Sequence, residues 1–181
     1  MTVETEIKLP LENAAHGKRL LKRAGFRLRK RRALEENTLF DTPRGALRQA
    51  GTALRIRQTR GHALLTYKGP VLPGKLKSRE ELEIEIGDAA LGARILARLG
   101  FEAAFRYRKF RSEYGSKSGA GIICLDETPA GCFLELEGSS RWIAQTRRAL
   151  GFRASDAVTA SYAQLYTETR IGAGEDPSGM A

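Results

Sequence analysis

Hydrophobic and polar positions alternate with a period of two along most of this chain, and three shorter stretches change to a helical period. Strict alternation predicts β-strands, because successive side chains of a strand point to opposite faces of a sheet. About eight strands, joined mostly by short polar or glycine-containing turns, favour one antiparallel sheet or barrel over parallel βαβ units. The predicted strands cover residues 3–9, 37–41, 52–58, 63–68, 77–86, 106–114, 121–126 and 132–137.

The three helical stretches, residues 11–24, 88–99 and 140–150, each end in a glycine followed by a phenylalanine. Glycine just after a helix adopts the left-handed conformation that ends it, and the next apolar residue packs back on the last turn. A further short helix is predicted near residues 161–166. Residues 167–181 are rich in glycine, serine and charge, so we expect one domain over residues 1–166 and a flexible tail over residues 167–181.

Composition and charge narrow the classes of partner. Of the 181 residues, 41% are hydrophobic and 29% are charged, which is typical of a soluble globular domain. No apolar run is long enough to span a bilayer and no signal-peptide core follows Met1, so we expect a cytoplasmic protein without membrane contact. Two cysteines and two histidines argue against a disulfide framework, a zinc site and a histidine-based active site. The net charge of +10 predicts a polyanionic partner, either nucleic acid or a phosphate-rich small molecule.

Four of the predicted strands carry pairs of like charges on one face. Residues two apart in a strand lie roughly 6.5–7 Å from each other, so like charges there repel unless an opposite charge lies between them. A solvated face explains any single strand, but it explains the whole set less well. Carboxylate pairs would suit a divalent cation, and basic pairs would suit an anion with several oxygens. The pairs are Glu4 and Glu6, Glu135 and Glu137, Arg55 and Arg57, and Lys109 and Arg111.

A closed barrel with a polar interior would satisfy both kinds of pair. We expect acids on one wall, bases on the other, and the apolar alternate positions facing outward beneath the helices. Eight strands enclose room for one small ligand. A polyphosphate with its metal fits such an interior, because Mg²⁺ takes carboxylate and phosphate oxygens. Arginine offers a rigid fork of donors to phosphate, and lysine offers a point charge.

Eight short motifs follow one another along residues 1–166. The first is Glu4-Thr-Glu6-Ile-Lys8. The others are Asn37-Thr-Leu-Phe-Asp41-Thr, Leu54-Arg-Ile-Arg57, Leu65-Thr-Tyr-Lys68, Arg79-Glu-Glu81-Leu-Glu83, Lys109-Phe-Arg111-Ser-Glu-Tyr114, the hairpin from Leu125-Asp126 to Glu135-Leu-Glu137, and Ser161-Tyr162 followed by Leu165. In kind and order these motifs resemble those of the CYTH superfamily, the triphosphate tunnel metalloenzymes, and the first is similar to the ExExK signature of that family.

The resemblance implies an α+β fold, an eight-stranded antiparallel β-barrel tunnel with a polar lumen and helices packed outside. It also implies a triphosphate substrate and Mg²⁺ or Mn²⁺ as cofactor. Lys8, Glu4 and Glu6 would lie at the chemistry, Glu81 and Glu83 would complete the polar wall, and Glu85 could equally be a solvated strand-end residue. The implied metal ligands are Glu4, Glu6, Asp126, Glu135 and Glu137. The implied phosphate-binding residues are Lys8, Arg55, Arg57, Lys68, Arg79, Lys109 and Arg111.

Several functions remain open within this resemblance. Because both Glu135 and Glu137 are present, hydrolysis of inorganic tripolyphosphate is favoured. A class IV adenylyl cyclase and a thiamine or nucleoside triphosphatase are the alternative enzymes. A polyphosphate- or RNA-binding module is the non-enzymatic alternative, since residues 18–32, from Lys18 to Arg32, form a basic patch that we interpret as a solvated helix face running into a turn. A homodimer is also left open, and Cys124 is interpreted as a packed thiol.

Overall fold

Eight antiparallel strands form one closed barrel, as the sequence predicts. The computed structural model describes residues 3–74, 76–116 and 119–172. The order around the barrel is β1-β5-β4-β3-β2-β6-β7-β8, and β8 pairs with β1 to close it. The strands are β1 (Val3–Leu11), β2 (Arg27–Asp41), β3 (Ala53–Thr59), β4 (His62–Lys68), β5 (Lys77–Ile86), β6 (Glu102–Gly115), β7 (Gly121–Thr128) and β8 (Gly131–Gly138).

Strand β2 begins ten residues earlier than the alternation predicts. Its first half pairs with the end of β6, and the register shifts between Leu28 and Lys30 and again between Lys30 and Ala33. Such irregularities break the period of two, which is why this half gives no strand signal in the sequence. The interpretation of the basic patch as a helix face running into a turn is therefore wrong in its second half. Residues 27–32 lie on an exposed strand instead.

Three main helices pack on the outside of the barrel and end as the sequence predicts. They are α1 (Ala14–Arg23), α3 (Ala89–Arg98) and α4 (Ser140–Ala149), and a four-residue helix α2 (Ala46–Gln49) lies between β2 and β3. Helix α1 starts three residues later than predicted, because Asn13 caps it by accepting from the His16 amide. Each main helix is followed by a glycine of positive φ, at Gly25 (79°), Gly100 (89°) and Gly151 (88°).

The apolar core lies between the barrel and these helices rather than inside the barrel. Outward residues of β1, β7 and β8, such as Leu9 and Leu134, form one cluster with α1 and α4. A second cluster packs Ile56 and Phe40 against Leu96 of α3. The outer positions of the strands are thus used for stability, which leaves the inner positions available for polar side chains. No helix among the described residues is long and apolar enough to cross a membrane.

The last helix closes one end of the barrel. Helix α5 (Tyr162–Gly172), which follows a short 3₁₀ helix (Ala154–Asp156), packs its Tyr162 against the inward-facing rings of Phe105, Tyr107 and Phe133. Helix α5 extends further than the predicted segment 161–166, whereas residues 173–181 lie outside the described part of the chain. The division into a domain and a flexible tail stays a prediction. The opposite end, where β1 and β3 present Val3 and Thr59, has no comparable cover among the described elements.

Candidate active site

The interior of the barrel, here called the lumen, is lined by charged side chains. The strand registers place alternate residues inside, and several are almost fully buried, including Lys8 at 2% exposure, Lys109 at 3% and Asp126 at 0%. Among the described residues, the basic side chains of the lumen are Lys8, Arg55, Arg57, Lys68, Lys77, Arg79, Lys109 and Arg111. The acidic ones are Glu4, Glu6, Glu35, Glu81, Glu83, Asp126, Glu135 and Glu137.

Lys8 lies between two carboxylates on neighbouring strands. Its Nζ is 3.0 Å from Glu6 Oε1 and 3.0 Å from Glu135 Oε2. Glu6 also pairs with Lys77 at 2.8 Å. Although burial opposes the ionised forms, these attractions raise the pKa of Lys8, and they hold the pKa of Glu6 at about 2. Glu6, Lys8 and Glu135 are therefore charged at neutral pH.

Asp126 is the most enclosed acid and has three donors. Lys109 Nζ lies 3.0 Å from Oδ2, and Arg111 contacts both carboxylate oxygens at 2.7 and 2.5 Å. The Tyr162 hydroxyl, which comes from helix α5, donates to Oδ2 at 2.6 Å. Burial would raise the pKa of Asp126, but Arg111 and Lys109 lower it. Arg111 also reaches Glu135 at 2.6 Å, so this arginine joins β6, β7 and β8.

The two arginines of β3 face a second group of acids. Arg57 contacts Glu83 at 3.2 Å and lies 3.8 Å from Glu35. Arg55, which is 9% exposed, lies 3.7 Å from Glu83 and 3.4 Å from the Thr66 hydroxyl. Burial opposes the ionised form of Glu35, but Arg111, Lys109 and Arg57 lower its pKa overall.

A chain of three carboxyl groups lies nearer the open end. Glu4 is hydrogen-bonded to Glu81 on one side and to Glu137 on the other, and Lys68 contacts both Glu4, at 3.2 Å, and Glu81. Burial and the hydrogen bond with Glu4 raise the pKa of Glu137 to about 9 and that of Glu81 to about 7. The hydrogen bonds and Lys68 overcome the effect of burial on Glu4 and lower its pKa to about 2. This chain therefore holds protons at neutral pH.

The expected separation of acids and bases onto two walls is confirmed in part. Among the described residues, the adjacent strands β7, β8 and β1 carry five lumen acids, and the adjacent strands β4, β3, β2 and β6 carry five lumen bases. Lys8 on the acidic side and Glu35 on the basic side are exceptions, and β5 carries both signs. Ion pairs join the two sides, as between Asp126 and both Lys109 and Arg111. A buried charge is tolerated only beside an opposite charge, so each like-charge pair within a strand is compensated by the strands next to it.

The structure brings together nearly all of the residues singled out in the sequence. Glu83 contacts Arg57 inside the lumen, whereas Glu85 is exposed and pairs with His62 at 2.7 Å, so it lies outside the site. Arg79 faces Glu4 across the β1–β5 pair and makes no ion pair within the described residues.

Four residues of the site were missed by the sequence reasoning: Glu35, Asn37, Lys77 and Tyr162. The alternation of faces along β2 could have indicated Glu35 and Asn37, because both share a face with Leu39. The same alternation in β5 could have indicated Lys77, because it shares a face with Arg79 and Glu81. Nothing in the sequence indicates that the Tyr162 hydroxyl reaches Asp126.

The chemistry of the donor set fits a hard divalent cation. Glu4, Glu81 and Glu137 offer carboxylate oxygens, which are the ligands that Mg²⁺ and Mn²⁺ prefer. They form a chain rather than a ring around one point. No group of three or more His, Cys, Asp or Glu side chains within residues 3–74, 76–116 and 119–172 is already arranged to hold a metal ion. A cation at this chain would displace its protons.

Comparison with known proteins agrees with this geometry. The family model of the CYTH domain matches residues 2–150. A Methanocaldococcus jannaschii protein, named as a candidate adenylate cyclase, is 34% identical over 137 residues, which cover 76% of this chain and 77% of that protein. A solved structure from Pyrococcus horikoshii has 28% identity and a TM-score of 0.79, and the match covers 92% of this chain and 99% of that one. A Hippeastrum protein has 22% identity and a TM-score of 0.67 over 97% of both chains, and it is described as a candidate adenylyl cyclase with a dominant triphosphatase activity.

The fold and the site define a closed antiparallel β-barrel whose lumen is lined by carboxylates, lysines and arginines. The chain belongs to the CYTH domain family. Enzymes of this family depend on a divalent metal and act on small-molecule triphosphates.

Proposed function

We propose that this protein hydrolyses the terminal phosphoryl group of a triphosphate, with inorganic tripolyphosphate as its first substrate. The products would be pyrophosphate and orthophosphate. The observation that carries the proposal is the cluster of buried bases Arg55, Lys109 and Arg111 in the lumen. Lys109 and Arg111 lie within 4 Å of Glu35, and Arg55 lies within 4 Å of Glu83.

Buried ion pairs add little net stability, because desolvation offsets their attraction. We therefore infer that this dense network serves to bind a ligand, whose atoms replace some of the present ion-pair partners. The oxygens of a polyphosphate would take the donors that Glu35, Glu83 and Asp126 now occupy, while the acids move their contacts to a cation and to water.

The residues of the chain would act mainly by positioning and by charge. Negative charge spreads over the equatorial oxygens during phosphoryl transfer, so fixed donors that face those oxygens lower the barrier. Arg57, Arg55 and Arg111 would donate hydrogen bonds to them, and Lys8 would supply a point charge. Helix α5 would exclude bulk water from the closed end. A lumen carboxylate would accept the proton of the attacking water.

A divalent cation would be held by Glu4 and Glu137 with help from Glu81, and Glu6, Asp126 and Glu135 stay predicted ligands. Mg²⁺ or Mn²⁺ held there would offset charge on the phosphate oxygens and would lower the pKa of a bound water.

Cyclisation of ATP is the second candidate. It is favoured by the name of the Methanocaldococcus jannaschii relative, which is 34% identical. Hydrolysis is preferred here because Glu137 completes the acidic chain with Glu4, and because the fold shared with the Hippeastrum protein accommodates triphosphate hydrolysis.

Release of orthophosphate from tripolyphosphate in Mg²⁺, measured as initial rates, tests the proposal. Arg57→Ala should lower kcat/KM about 10- to 150-fold, because one charge-assisted hydrogen bond contributes about 1.5–3 kcal/mol. Arg106→Ala is the matched control, since Arg106 is an exposed arginine on the outer face of β6. An equal loss of kcat/KM in both variants, or no loss in Arg57→Ala, would contradict the proposal that the lumen binds the phosphates.

A further inference from the structure

Five buried polar atoms on one stretch of the lumen wall have no hydrogen-bond partner among the described residues. They are Glu35 Oε2, both amide atoms of Asn37, Arg55 Nε and Arg57 Nε. Buried polar atoms in proteins are almost always paired, so each exception needs an explanation. Asn37 is the clearest case, because its side chain is 2% exposed and neither its nitrogen nor its oxygen is satisfied.

These atoms lie together on the β2–β3 wall of the lumen, and Asn37 joins them to the closed end. Glu35 and Asn37 are two residues apart on β2 and so share its inner face. Asn37 pairs across the sheet with Arg57 on β3 and with Tyr107 on β6, and Tyr107 packs in the aromatic cluster beneath α5. Arg55 is two residues from Arg57 on the same inner face. The unpaired atoms therefore surround one place rather than being scattered.

The kinds of atom define what would bind there. Asn37 Nδ2, Arg55 Nε and Arg57 Nε are donors, so they require acceptor oxygens. Asn37 Oδ1 and Glu35 Oε2 are acceptors, and they require a ligand that also donates. Lys109 and Arg111 lie 3.6 and 3.9 Å from Glu35 Oε2, which is beyond hydrogen-bond distance but keeps that carboxylate charged. A fully ionised oxyanion has no proton to offer, whereas a phosphate end group that carries one proton has both acceptors and a donor.

We propose that Asn37 and Glu35, with the Nε atoms of Arg55 and Arg57, form an end-group pocket that selects a protonated phosphate end group. This inference rests on the proposed function and deepens it, because it gives the bound triphosphate a direction. The free terminal phosphate points to the closed end, and whatever is attached to the other end of the triphosphate points to the open end. Substrates with an unesterified terminal phosphate fit, and those blocked at both ends do not.

Orthophosphate and sulfate are the probes that test the pocket. The two ions have nearly the same shape, but near neutral pH only phosphate carries a proton. Calorimetric titration at constant ionic strength should show that the wild-type protein prefers phosphate about tenfold, the effect of about one hydrogen bond. Asn37→Leu, which keeps the approximate volume and removes both polar atoms, should reduce that preference to within about twofold.

Thermal unfolding gives a second readout that a structural role would not produce. Because the amide of Asn37 has no partner in the folded protein, Asn37→Leu should leave the melting temperature unchanged or raise it. Thr66→Val is the matched control, because Thr66 is equally buried but donates to Glu83 at 2.7 Å and accepts from Arg55. That variant should lower the melting temperature.

The outcomes separate this inference from the proposed function. Equal affinity of the wild type for the two anions, an unchanged preference in Asn37→Leu, or a clear loss of stability in Asn37→Leu would each overturn the pocket, even if tripolyphosphate is hydrolysed. Binding of neither anion, together with no turnover of tripolyphosphate, would overturn the proposed function and this inference with it.

Discussion

The hydroxyl of Tyr162 gives the sharpest test of how helix α5 is attached to the barrel. It donates to Asp126 Oδ2 at 2.6 Å, and the two residues are 6% and 0% exposed. Tyr162→Phe removes this hydrogen bond without opening a cavity. Lys109 and Arg111 still donate to Asp126, so no buried charge loses all its partners. The loss should therefore match one hydrogen bond to a charged group, about 1.5–3 kcal/mol.

Equilibrium unfolding in urea measures this loss directly. The single tryptophan, Trp142, belongs to α4, is buried in the core and reports the transition by fluorescence. In a protein of this size the predicted loss corresponds to a fall in melting temperature of about 3–12 °C. Tyr166→Phe is the control on the same helix, because its exposed hydroxyl donates to the Arg108 carbonyl at 3.2 Å. It should change stability by no more than about 0.5 kcal/mol. Equal effects of the two substitutions, or no effect of Tyr162→Phe, would refute the reasoning.

Three further predictions concern the charges of the lumen. Arg111→Met should lower the free energy of unfolding in urea by about 3–5 kcal/mol, because it breaks buried ion pairs with Asp126 and Glu135. The control Arg108→Met removes an exposed ion pair and should change that free energy by no more than about 0.5 kcal/mol. Similar losses in the two variants would contradict the prediction. Burial and the hydrogen bond with Glu4 raise the pKa of Glu137 from 4.5 to about 9, so the folded state binds this proton more tightly. In a chelator, the contribution of Glu137 to stability should be fully present near pH 4.5 and be lost as the pH rises to about 9. Glu137→Gln should reduce the dependence of the free energy of unfolding on pH. If that dependence is unchanged across the pH range, another group causes it. Mg²⁺ that binds near pH 7 should release protons from Glu81 and Glu137, and the heat measured by calorimetry should then depend on the buffer. A chelator should abolish turnover. No proton release would mean that the cation binds elsewhere.

The alternation of charges was the most informative signal in the sequence. Because a strand sends successive side chains to opposite faces, Glu4, Glu6 and Lys8 had to share one side, and β1 places all three in the lumen. The glycines after the main helices also acted as predicted. These features depend on neighbours close in sequence, which is why a single chain reveals them.

Pairings between distant strands could not be predicted in the same way. The partners of Lys8 and Asp126 depend on the register of β8 and β6, which the sequence of one strand does not contain. The first half of β2 was missed because its register shifts hide the alternation, and Glu35 and Asn37 were missed as site residues. Tyr162 follows Asp126 by 36 residues in the sequence, and its hydroxyl reaches Asp126 only because α5 packs on the end of the barrel.

Phosphorus NMR of one sample that contains the protein, Mg²⁺, tripolyphosphate and ATP tests the central claim most directly, and a second sample replaces Mg²⁺ with Mn²⁺. We expect tripolyphosphate to be converted to pyrophosphate and orthophosphate while ATP is spared. Cyclic AMP and pyrophosphate formed from ATP, or no change of either compound with either metal, would contradict the claim that this lumen is the active site of a tripolyphosphate hydrolase.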